Sequence, residues 1–513
     1  MANSAEQFLP ILILLAIVAL VIYRLPKVED VKHSPAYLRR RVMNWLPMGL
    51  IYAFLYMGRY NLTIGKNEFA DLCLMSNSDF GVIFGIGTLV YGFSFLINGP
   101  ITDKYGGKIA ILVGGAGSAL MNLLMGLVTL EVITSQGSMG AVTQTINTVA
   151  MPLFSLFGAF RGLFGLESGD LAASPLLPSL SMLYGLNMYF QSFGAVAIVK
   201  VNAPWFHVRE RGVFGAIFGI LISLGVYFAY DINGLIVSFF PTQWVFFSPA
   251  VMLGLFWVIC LLVVKNSPQD AGYEDFDTGD ASSGDTGPQK SAFEVFKMML
   301  QNPVIMTIAC IEFCSGFLRQ AIMQWYIIFA KNVGIMDQFV ASNWGLLLCC
   351  AGILGGMFAG VISDHVFNSR RGPVAAVLYG GMLVGSIIMC FVLGSSALGW
   401  LVIFMSLCVI GVHGMLSGTA SMDFGGKKNV GIAVGIIDGF VYLGTAIMSF
   451  WFSWRLPDGD AAKDPANWIE WPIWMIPISL IGLLLATRVW NAKPKGKGAQ
   501  KEPTESEPEQ SAQ

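Results

Sequence analysis

The sequence has little charge for its length. Of its 513 residues only 12% are Asp, Glu, Lys or Arg, whereas soluble proteins carry about 25%. Hydrophobic residues make up 55% of the chain, and they fall in many separate runs of about 20 residues, the length a helix needs to cross a bilayer. The shortage of charge excludes an ordinary soluble protein. The runs predict an all-α polytopic membrane protein.

Groups that carry catalysis or bind metals are also scarce. The chain has four histidines and eight cysteines, with no CxxC pair and no metal-ligand spacing, so the cysteines are interpreted as small apolar residues. The sequence shows no arrangement of residues typical of a catalytic nucleophile, and no P-loop. We therefore predict that the protein is not an enzyme, needs no cofactor or metal, and draws no energy from ATP.

Twelve core spans are predicted, in two groups of six separated by a polar, Gly- and Ser-rich segment at 266–294. They fall at 46–66, 78–101, 108–130, 179–203, 212–233, 243–264, 303–330, 340–362, 373–394, 396–420, 430–453 and 471–490. Basic residues cluster in alternate connections, which by the positive-inside rule places the central segment and the C-terminus in the cytoplasm. The predicted units are an N-terminal half at 40–265, a linker at 266–300, a C-terminal half at 301–491 and a disordered cytoplasmic tail at 492–513.

Two segments lie outside this core. An apolar run at 8–23, within residues 1–30, has no basic region before it and no cleavage site after it, so it predicts an extra uncleaved N-terminal helix, or an interfacial one because it is short. The long connection at 131–178 contains an apolar stretch, 151–166, broken by Pro152 and Arg161. A single additional span there would invert the membrane orientation of every later span, so a partly embedded or interfacial excursion is favoured.

Two arginines lie deep inside apolar segments, and each segment opens one half of the chain. Arg59 lies in WLPMGLIYAFLYMGRYNLTIG and Arg319 in NPVIMTIACIEFCSGFLRQAIMQWYIIFA. An intramembrane arginine costs at least about 2.5 kcal/mol, so by default it marks a functional site. The alternatives are snorkelling to an interface or pairing with a structural carboxylate. The matched positions favour one central anion site between the halves.

The two halves repeat a loop signature. GPITDKYGGK follows the second span and GVISDHVFNSRRG follows the eighth, each with Gly, then Asp four residues later, then basic residues. A carboxylate, a helix end and a basic group can clasp neighbouring helices across a tight cytoplasmic turn, where glycine allows close approach. An ordinary basic loop is the alternative. The signature residues are Gly99, Asp103, Lys104, Gly106, Asp364 and Arg371.

These residues resemble the major facilitator superfamily, over roughly residues 40–490. The resemblance is closest to the organophosphate:phosphate antiporter branch typified by glycerol-3-phosphate transporters. YAFLYMGRYNL (52–62), NSPQDAG (266–272), LRQAIMQW (318–325) and SDHVFNSRRG (363–372) carry it. It implies the major facilitator fold, with two six-helix halves and a substrate site at their interface.

In that branch the matched arginines bind the phosphate of the substrate, so the resemblance assigns Arg59 and Arg319 to a phosphate clamp. Guanidinium forks suit phosphate oxygens and stay charged when they lose water. Tyr52 and Tyr56 precede Arg59 on about the same helical face and match cavity tyrosines, as does Tyr442. Simple packing within the bundle is the alternative role for Tyr52 and Tyr56.

The chain departs from the branch at several positions. A lysine and a histidine of the glycerol-3-phosphate transporter are replaced by Phe95 and an apolar stretch near Ile222, while His413 stands where that protein has a tyrosine. Glu312 and Asp438 add carboxylates inside helices. These two are candidates for proton coupling, and His413 is a candidate substrate or proton group. Structural pairing or packing is the alternative for all three.

The favoured hypothesis is a secondary transporter that exchanges a phosphorylated small organic anion for inorganic phosphate by alternating access. The alternatives are a proton-coupled symporter of a carboxylate or sugar acid, and a membrane sensor of sugar phosphates. The predicted partners are a small anionic solute and the lipid bilayer, with no nucleic acid. We expect the protein to be a monomer. We also expect it to be a multi-pass protein of the inner (plasma) membrane.

Overall fold

The structure is a computed structural model that describes residues 33–72, 74–135, 139–163, 174, 176–207, 211–274, 292–362, 366–367, 370–420 and 430–491. Within these ranges every regular element is a helix. Ten helices in the described ranges are long and apolar enough to cross a membrane. The apolar run at 8–23, the Lys-rich tail and Asp364 lie outside the described residues, so the predictions for them stay predictions.

The described part of the N-terminal half contains seven long helices. They are α1 (Pro35–Asp71), α2 (Asn77–Tyr105), α3 (Gly107–Thr134), α4 (Ala141–Leu163), α5 (Leu177–Asn202), α6 (Arg211–Tyr227) and α7 (Trp244–Val263). A π-helical turn, Phe228–Ile232, carries α6 on into the short helix Asn233–Phe239.

The C-terminal half begins with a short helix that belongs to the predicted linker. Its helices are α8 (Ala292–Leu300), α9 (Pro303–Met323), α10 (Trp325–Val333), α11 (Trp344–Val361), α12 (Arg371–Val392), α13 (Ala397–His413), α14 (Val430–Arg455) and α15 (Glu470–Arg488). A π-helical stretch, Gly414–Ala420, continues α13. The predicted all-α polytopic fold is confirmed.

Each of the twelve predicted spans coincides with one helix or with two consecutive helices. Ten of the twelve are among the membrane-length apolar helices, and the exceptions are α1 and α11. α1 combines its apolar residues with buried polar ones, including Arg59 and Lys66. One of the two spans that carry a site arginine therefore lies outside the membrane-length apolar set because of its polar content.

The long connection after α3 forms a helix of its own. α4 begins about ten residues before the apolar stretch seen in the sequence, because Glu131 in α3 accepts hydrogen bonds from the backbone N–H groups of Val142 and Thr143 at 3.0 and 2.8 Å. A carboxylate at a helix N-terminus satisfies free N–H groups and the helix dipole. α4 is not among the candidate spans found in the described residues.

The first loop signature is helical almost to its end. α2 continues through Lys104 to Tyr105, and a single residue, Gly106 with φ of 88°, makes the turn into α3. The expectation that Gly99 allows close helix approach is wrong, since an added Cβ there would meet nothing within 4 Å. Gly107 has that role, because its Cβ would lie 2.9 Å from the Ala197 carbonyl oxygen of α5. Arg371 of the second signature begins α12.

Two carboxylates join the halves at the end that the positive-inside rule assigns to the outside. Asp231, after α6, accepts from the N–H groups of Gly345 and Leu346 at the start of α11, at 2.7 and 2.8 Å. Asp458, after α14, accepts from Asn77 and Ser78 at the start of α2, at 2.8 and 3.0 Å. α6 and α14 are each the fifth span of a half, and α2 and α11 are each the second. The two contacts are therefore related by the pseudo-symmetry of the fold, and we name them the reciprocal caps.

We expect Asp458→Ala to speed hydrogen exchange at the start of α2, and Asp231→Ala to speed it at the start of α11. Each substitution removes both acceptors of a charge-assisted cap, which contributes about 1.5–3 kcal/mol, so the protected amides should exchange at least about tenfold faster. Hydrogen–deuterium exchange with mass spectrometry measures this directly. Asp460→Ala is the matched control, because that exposed carboxylate pairs with nearby Lys463. Unchanged exchange in both cap variants would contradict the caps.

Candidate functional site

Arg59 is fully buried in α1, and all three of its nitrogens are hydrogen-bonded. Nε donates to Oε1 of Gln191 at 2.8 Å, and one Nη donates to the Tyr91 hydroxyl at 2.8 Å. The other Nη donates to the hydroxyl of Tyr442 at 3.0 Å. Tyr442 belongs to α14 in the opposite half, so this arginine already spans the interface. Its three partners are neutral, which leaves its charge without a counter-ion among them.

Aromatic rings also hold the Arg59 guanidinium in place. Its central carbon lies 4.5 Å from the ring centre of Tyr56 and 4.4 Å from that of Tyr91, within the range of cation–π attraction. Tyr184 donates from its hydroxyl to the Arg59 carbonyl oxygen at 2.8 Å, which fixes the backbone at this point of α1. The arginine is therefore fixed in position before any ligand arrives.

Arg319, on α9 of the C-terminal half, is held far less. It is 8% exposed, and its Nε is buried without a hydrogen-bond partner among the described residues. The same three tyrosines, Tyr56, Tyr60 and Tyr442, interact electrostatically with Arg319 and with Arg59. The two arginines thus border one tyrosine-lined site. Every nitrogen of Arg59 has a hydrogen-bond partner, whereas the Nε of Arg319 is an unused donor.

Neither guanidinium forms an ion pair within the part of the chain that the structure describes. Glu312 and Asp438 interact electrostatically with Arg319, but no carboxylate oxygen lies within salt-bridge distance of either arginine in that part. Buried charges are normally paired. Two buried guanidinium groups without ion pairs, one from each half, therefore create a site suited to an anion.

A layer of hydrogen-bonded polar side chains lies beside the arginines, toward the predicted outer side. Gln320 donates to the Tyr60 hydroxyl at 3.0 Å, and Gln324 donates to Gln320 at 3.0 Å. Thr63 is hydrogen-bonded to Gln324, and Asn67 donates to the carbonyl oxygen of Ile327 at 3.3 Å. These contacts join α1 to α9 and α10, so the halves meet on the outer side of the site.

The remaining candidate residues fall into two groups. Tyr52 packs edge-on against Tyr56, at 5.3 Å between ring centres, one turn farther from Arg59. His413 lies 2.8 Å through Nδ1 from Oε2 of Glu312, and Ser417 donates to Asp438 at 2.5 Å. The structure therefore brings Tyr56 and Tyr442 to the arginines and gathers Glu312, His413 and Asp438 beside them. Asp103 has no described side chain.

Sequence reasoning missed four polar residues of this site: Tyr91, Gln191, Tyr60 and Gln320. Tyr60 and Gln320 directly follow the two arginines, so the same argument could have found them. Gln191 is one of two amides, with Asn187, inside the apolar run of α5, which is a usable signal because an amide inside the bilayer needs a partner. No signal of this kind marks Tyr91. Within the described residues no group of His, Cys, Asp or Glu could hold a metal ion.

Comparisons with known proteins agree with this architecture. The chain is 24% identical over 485 residues to the glycerol-3-phosphate transporter of Bacillus subtilis, covering 91% of this chain and 96% of that protein. It is 21% identical over 487 residues to a probable hexose phosphate transport protein of Chlamydia trachomatis, covering 90% and 93%.

Solved structures show the same fold. The inward-facing, unoccupied structure of a bacterial homolog of the human lysosomal transporter Spinster superimposes with a TM-score of 0.63 at 14% identity, covering 90% of this chain and 98% of that one. The sequence profile of the Major Facilitator Superfamily matches residues 48–449. The chain therefore belongs to the Major Facilitator Superfamily and is a multi-pass inner-membrane transporter rather than an enzyme.

Proposed function

We propose that this transporter carries a phosphorylated small organic anion and exchanges it for inorganic phosphate. The observation that carries the proposal is the pair of buried arginines, Arg59 and Arg319, which come from different halves and have no ion-pair partner in the described residues. Guanidinium groups bind phosphate oxygens through paired N–H donors. Two relatives that align over nine-tenths of the chain are named for glycerol phosphate and hexose phosphate, which supports phosphate as the shared chemical group.

The asymmetry of the arginines suggests an order of binding. A phosphate first takes the unused donor of Arg319, because no existing hydrogen bond has to break there. It then competes for Arg59 with the hydroxyls of Tyr91 and Tyr442, which are neutral and therefore weaker acceptors than phosphate. Tyr442 connects the halves through Arg59, so its displacement links ligand binding to the contact between the halves.

The described conformation is one end point of alternating access. The reciprocal caps and the layer of Thr63, Asn67, Gln320 and Gln324 hold the halves together on the predicted outer side. The halves then rock about the central site. When the site is empty, two buried positive charges oppose closure, and a bound anion relieves that repulsion. Such a carrier crosses mainly when loaded, so it exchanges solutes.

Counterflow in proteoliposomes tests the proposal. Vesicles loaded with unlabelled phosphate should take up labelled phosphate, and external glycerol phosphate or hexose phosphate should compete with it. A site that prefers simple carboxylates or sugar acids is the second candidate, because an arginine also binds carboxylate. Failure of phosphate both to exchange and to compete would refute the phosphate assignment, and ligand binding without any uptake would identify a sensor.

A further inference from the structure

Four buried amide side chains lead from Arg59 into the N-terminal half. They are Gln191 and Asn187 on α5, Asn122 on α3 and Asn61 on α1, and all four are fully buried. They are joined to one another by side-chain hydrogen bonds of 2.9–3.2 Å, and we name them the amide network. Hydrogen-bonded polar networks in an interior make the core around them rigid. The amide network therefore fixes whatever it ends on, and one of its ends is Arg59.

Asn187 lies at the centre of the amide network. Its Oδ1 accepts from Nε2 of Gln191 at 3.2 Å and from Nδ2 of Asn122 at 3.1 Å. Its Nδ2 donates to the carbonyl oxygen of Gly58 at 2.9 Å. Gly58 directly precedes Arg59, and a Cβ on Gly58 would lie 2.9 Å from Nδ2 of Asn122. Asn187 therefore contacts both the backbone next to Arg59 and the side chain that binds it.

The amide of Gln191 can take only one orientation here. An amide has a donor end and an acceptor end. Its Nε2 faces Oδ1 of Asn187, so its Oε1 faces Nε of Arg59 and accepts from it at 2.8 Å. If the amide turned over, two donors would meet at Arg59 and two acceptors would meet at Asn187. Asn187 therefore keeps Gln191 as an acceptor for Arg59.

This orientation decides which nitrogens of Arg59 can bind an anion. The Oε1 of Gln191 cannot donate a hydrogen bond, so it repels a phosphate oxygen that approaches Nε. The hydroxyls of Tyr91 and Tyr442 now accept from the two Nη groups, but a hydroxyl can also donate. They can therefore turn and donate to the phosphate that displaces them. The Nε of Arg319, in contrast, has no partner among the described residues.

We propose that Asn187 is a positioning residue of the phosphate site, and that it makes Arg59 bind phosphate end-on. By holding Gln191 on Nε it leaves the two Nη groups of Arg59 for the ligand, while Arg319 binds side-on through Nε and one Nη. The inference rests on the proposed function. Both modes are bidentate, and because they differ in geometry they fix the orientation of the phosphate. They therefore also fix the direction in which the organic group of an ester projects.

The other role for the amide network is to hold α1, α3 and α5 together without any effect on the ligand. Asn202 shows what a buried amide without a link to the site looks like. It also lies on α5 and is 1% exposed, but its Nδ2 donates to the carbonyl oxygen of Ile198 in its own helix at 2.9 Å. Asn187 instead bonds to Gln191, to α3 and to the backbone next to Arg59. The contacts therefore favour positioning, and a purely structural role becomes an outcome of the test.

A double-mutant cycle on the purified full chain tests the proposal, with inorganic phosphate as the probe. Calorimetry gives the dissociation constant for the wild type, Asn187→Leu, Gln191→Leu and the double variant. We expect Asn187→Leu to weaken phosphate binding about tenfold, because Gln191 no longer holds Arg59 in one orientation. In the Gln191→Leu background the same substitution should change binding by less than about twofold, because its effect passes through Gln191.

Two further variants separate positioning from loss of stability. Asn202→Leu is the matched control, since it removes a buried amide from the same helix. It should bind phosphate like the wild type even if its thermal midpoint falls. Asn187→Ser removes the amide oxygen with a smaller side chain, and it should show the same dependence on Gln191 as Asn187→Leu.

Each result decides one of the two proposals. If the Asn187 variants weaken binding by the same factor with and without Gln191, or do not weaken it at all, positioning is overturned and the proposed function stands. A structure with bound phosphate in which a phosphate oxygen contacts Nε of Arg59 also overturns it. A wild-type protein that binds no phosphate refutes the proposed function and this inference with it.

Discussion

Arg319→Lys is expected to lower the rate of phosphate exchange about 10–100-fold while the protein stays folded. Lysine keeps the charge but loses the planar fork that meets phosphate with two donors, and one hydrogen bond to a charged group contributes about 1.5–3 kcal/mol, which is about 10–100-fold in binding. The Nε of Arg319 holds no partner in the described residues, so its removal costs the resting structure little. Counterflow and thermal stability of the purified variant measure the two effects separately.

Arg59→Lys is expected to abolish exchange and also to lower the stability of the protein. Three of its N–H groups donate to Gln191, Tyr91 and Tyr442, and a lysine ammonium group, at the end of a different stem, cannot reach all three acceptors. Arg455→Lys is the matched control, because that partly exposed arginine pairs with Glu470 at the predicted outer surface. Its exchange rate should equal that of the wild type. Normal exchange in both Arg59→Lys and Arg319→Lys would disprove the clamp.

Gly316→Ala is expected to prevent the C-terminal half from folding correctly. A Cβ on Gly316 would lie 1.9 Å from the carbonyl oxygen of Val441, and one on Gly444 would lie 2.1 Å from that of Phe313. Backbone atoms cannot move aside as a flexible side chain can, so α9 and α14 would have to separate. Overpacking costs about 1–3 kcal/mol even where side chains can adjust, and this contact leaves less freedom. Yield of monodisperse protein and its thermal midpoint measure the effect.

The same crossing brings the site together, because α9 carries Glu312 and Arg319 while α14 carries Asp438 and Tyr442. Gly380→Ala on α12 is the matched control, since a Cβ there would meet nothing within 4 Å. It should match the wild type in stability and in exchange. A Gly316→Ala protein with wild-type stability would show that α9 and α14 do not approach this closely.

The helices could be predicted because each span needs its own apolar run, and this is a local property of the sequence. The candidate arginines could be found for a related reason, since a charge inside an apolar run is visible without any tertiary information. α8 was missed as a helix because its nine residues, Ala292–Leu300, follow a polar linker and are too short to form a span. The beginning of α4 was missed because Glu131 caps it from another helix.

Tertiary pairing could not be predicted in the same way. Glu312 and His413 are 101 residues apart, and each is compatible with several partners until the crossing of the helices is known. The difference between Arg59 and Arg319 has the same origin, because Gln191 and Tyr91 come from two other helices. The loop signature suggested that Gly99 allows close helix approach. The glycine in close contact is instead Gly107, and this depends on which face of α3 meets α5.

The reciprocal caps have a consequence for how freely the outer loops can vary between related chains. Their donors are backbone N–H groups, which every residue except proline provides, so the side chains at Asn77, Ser78 and Leu346 are not constrained by the cap contacts themselves. Gly345 is the exception, because a Cβ there would lie 2.9 Å from Asp231. The cap contacts on the outer side are therefore specified by very few positions, so much of the surrounding surface can change without changing how the caps hold the halves together.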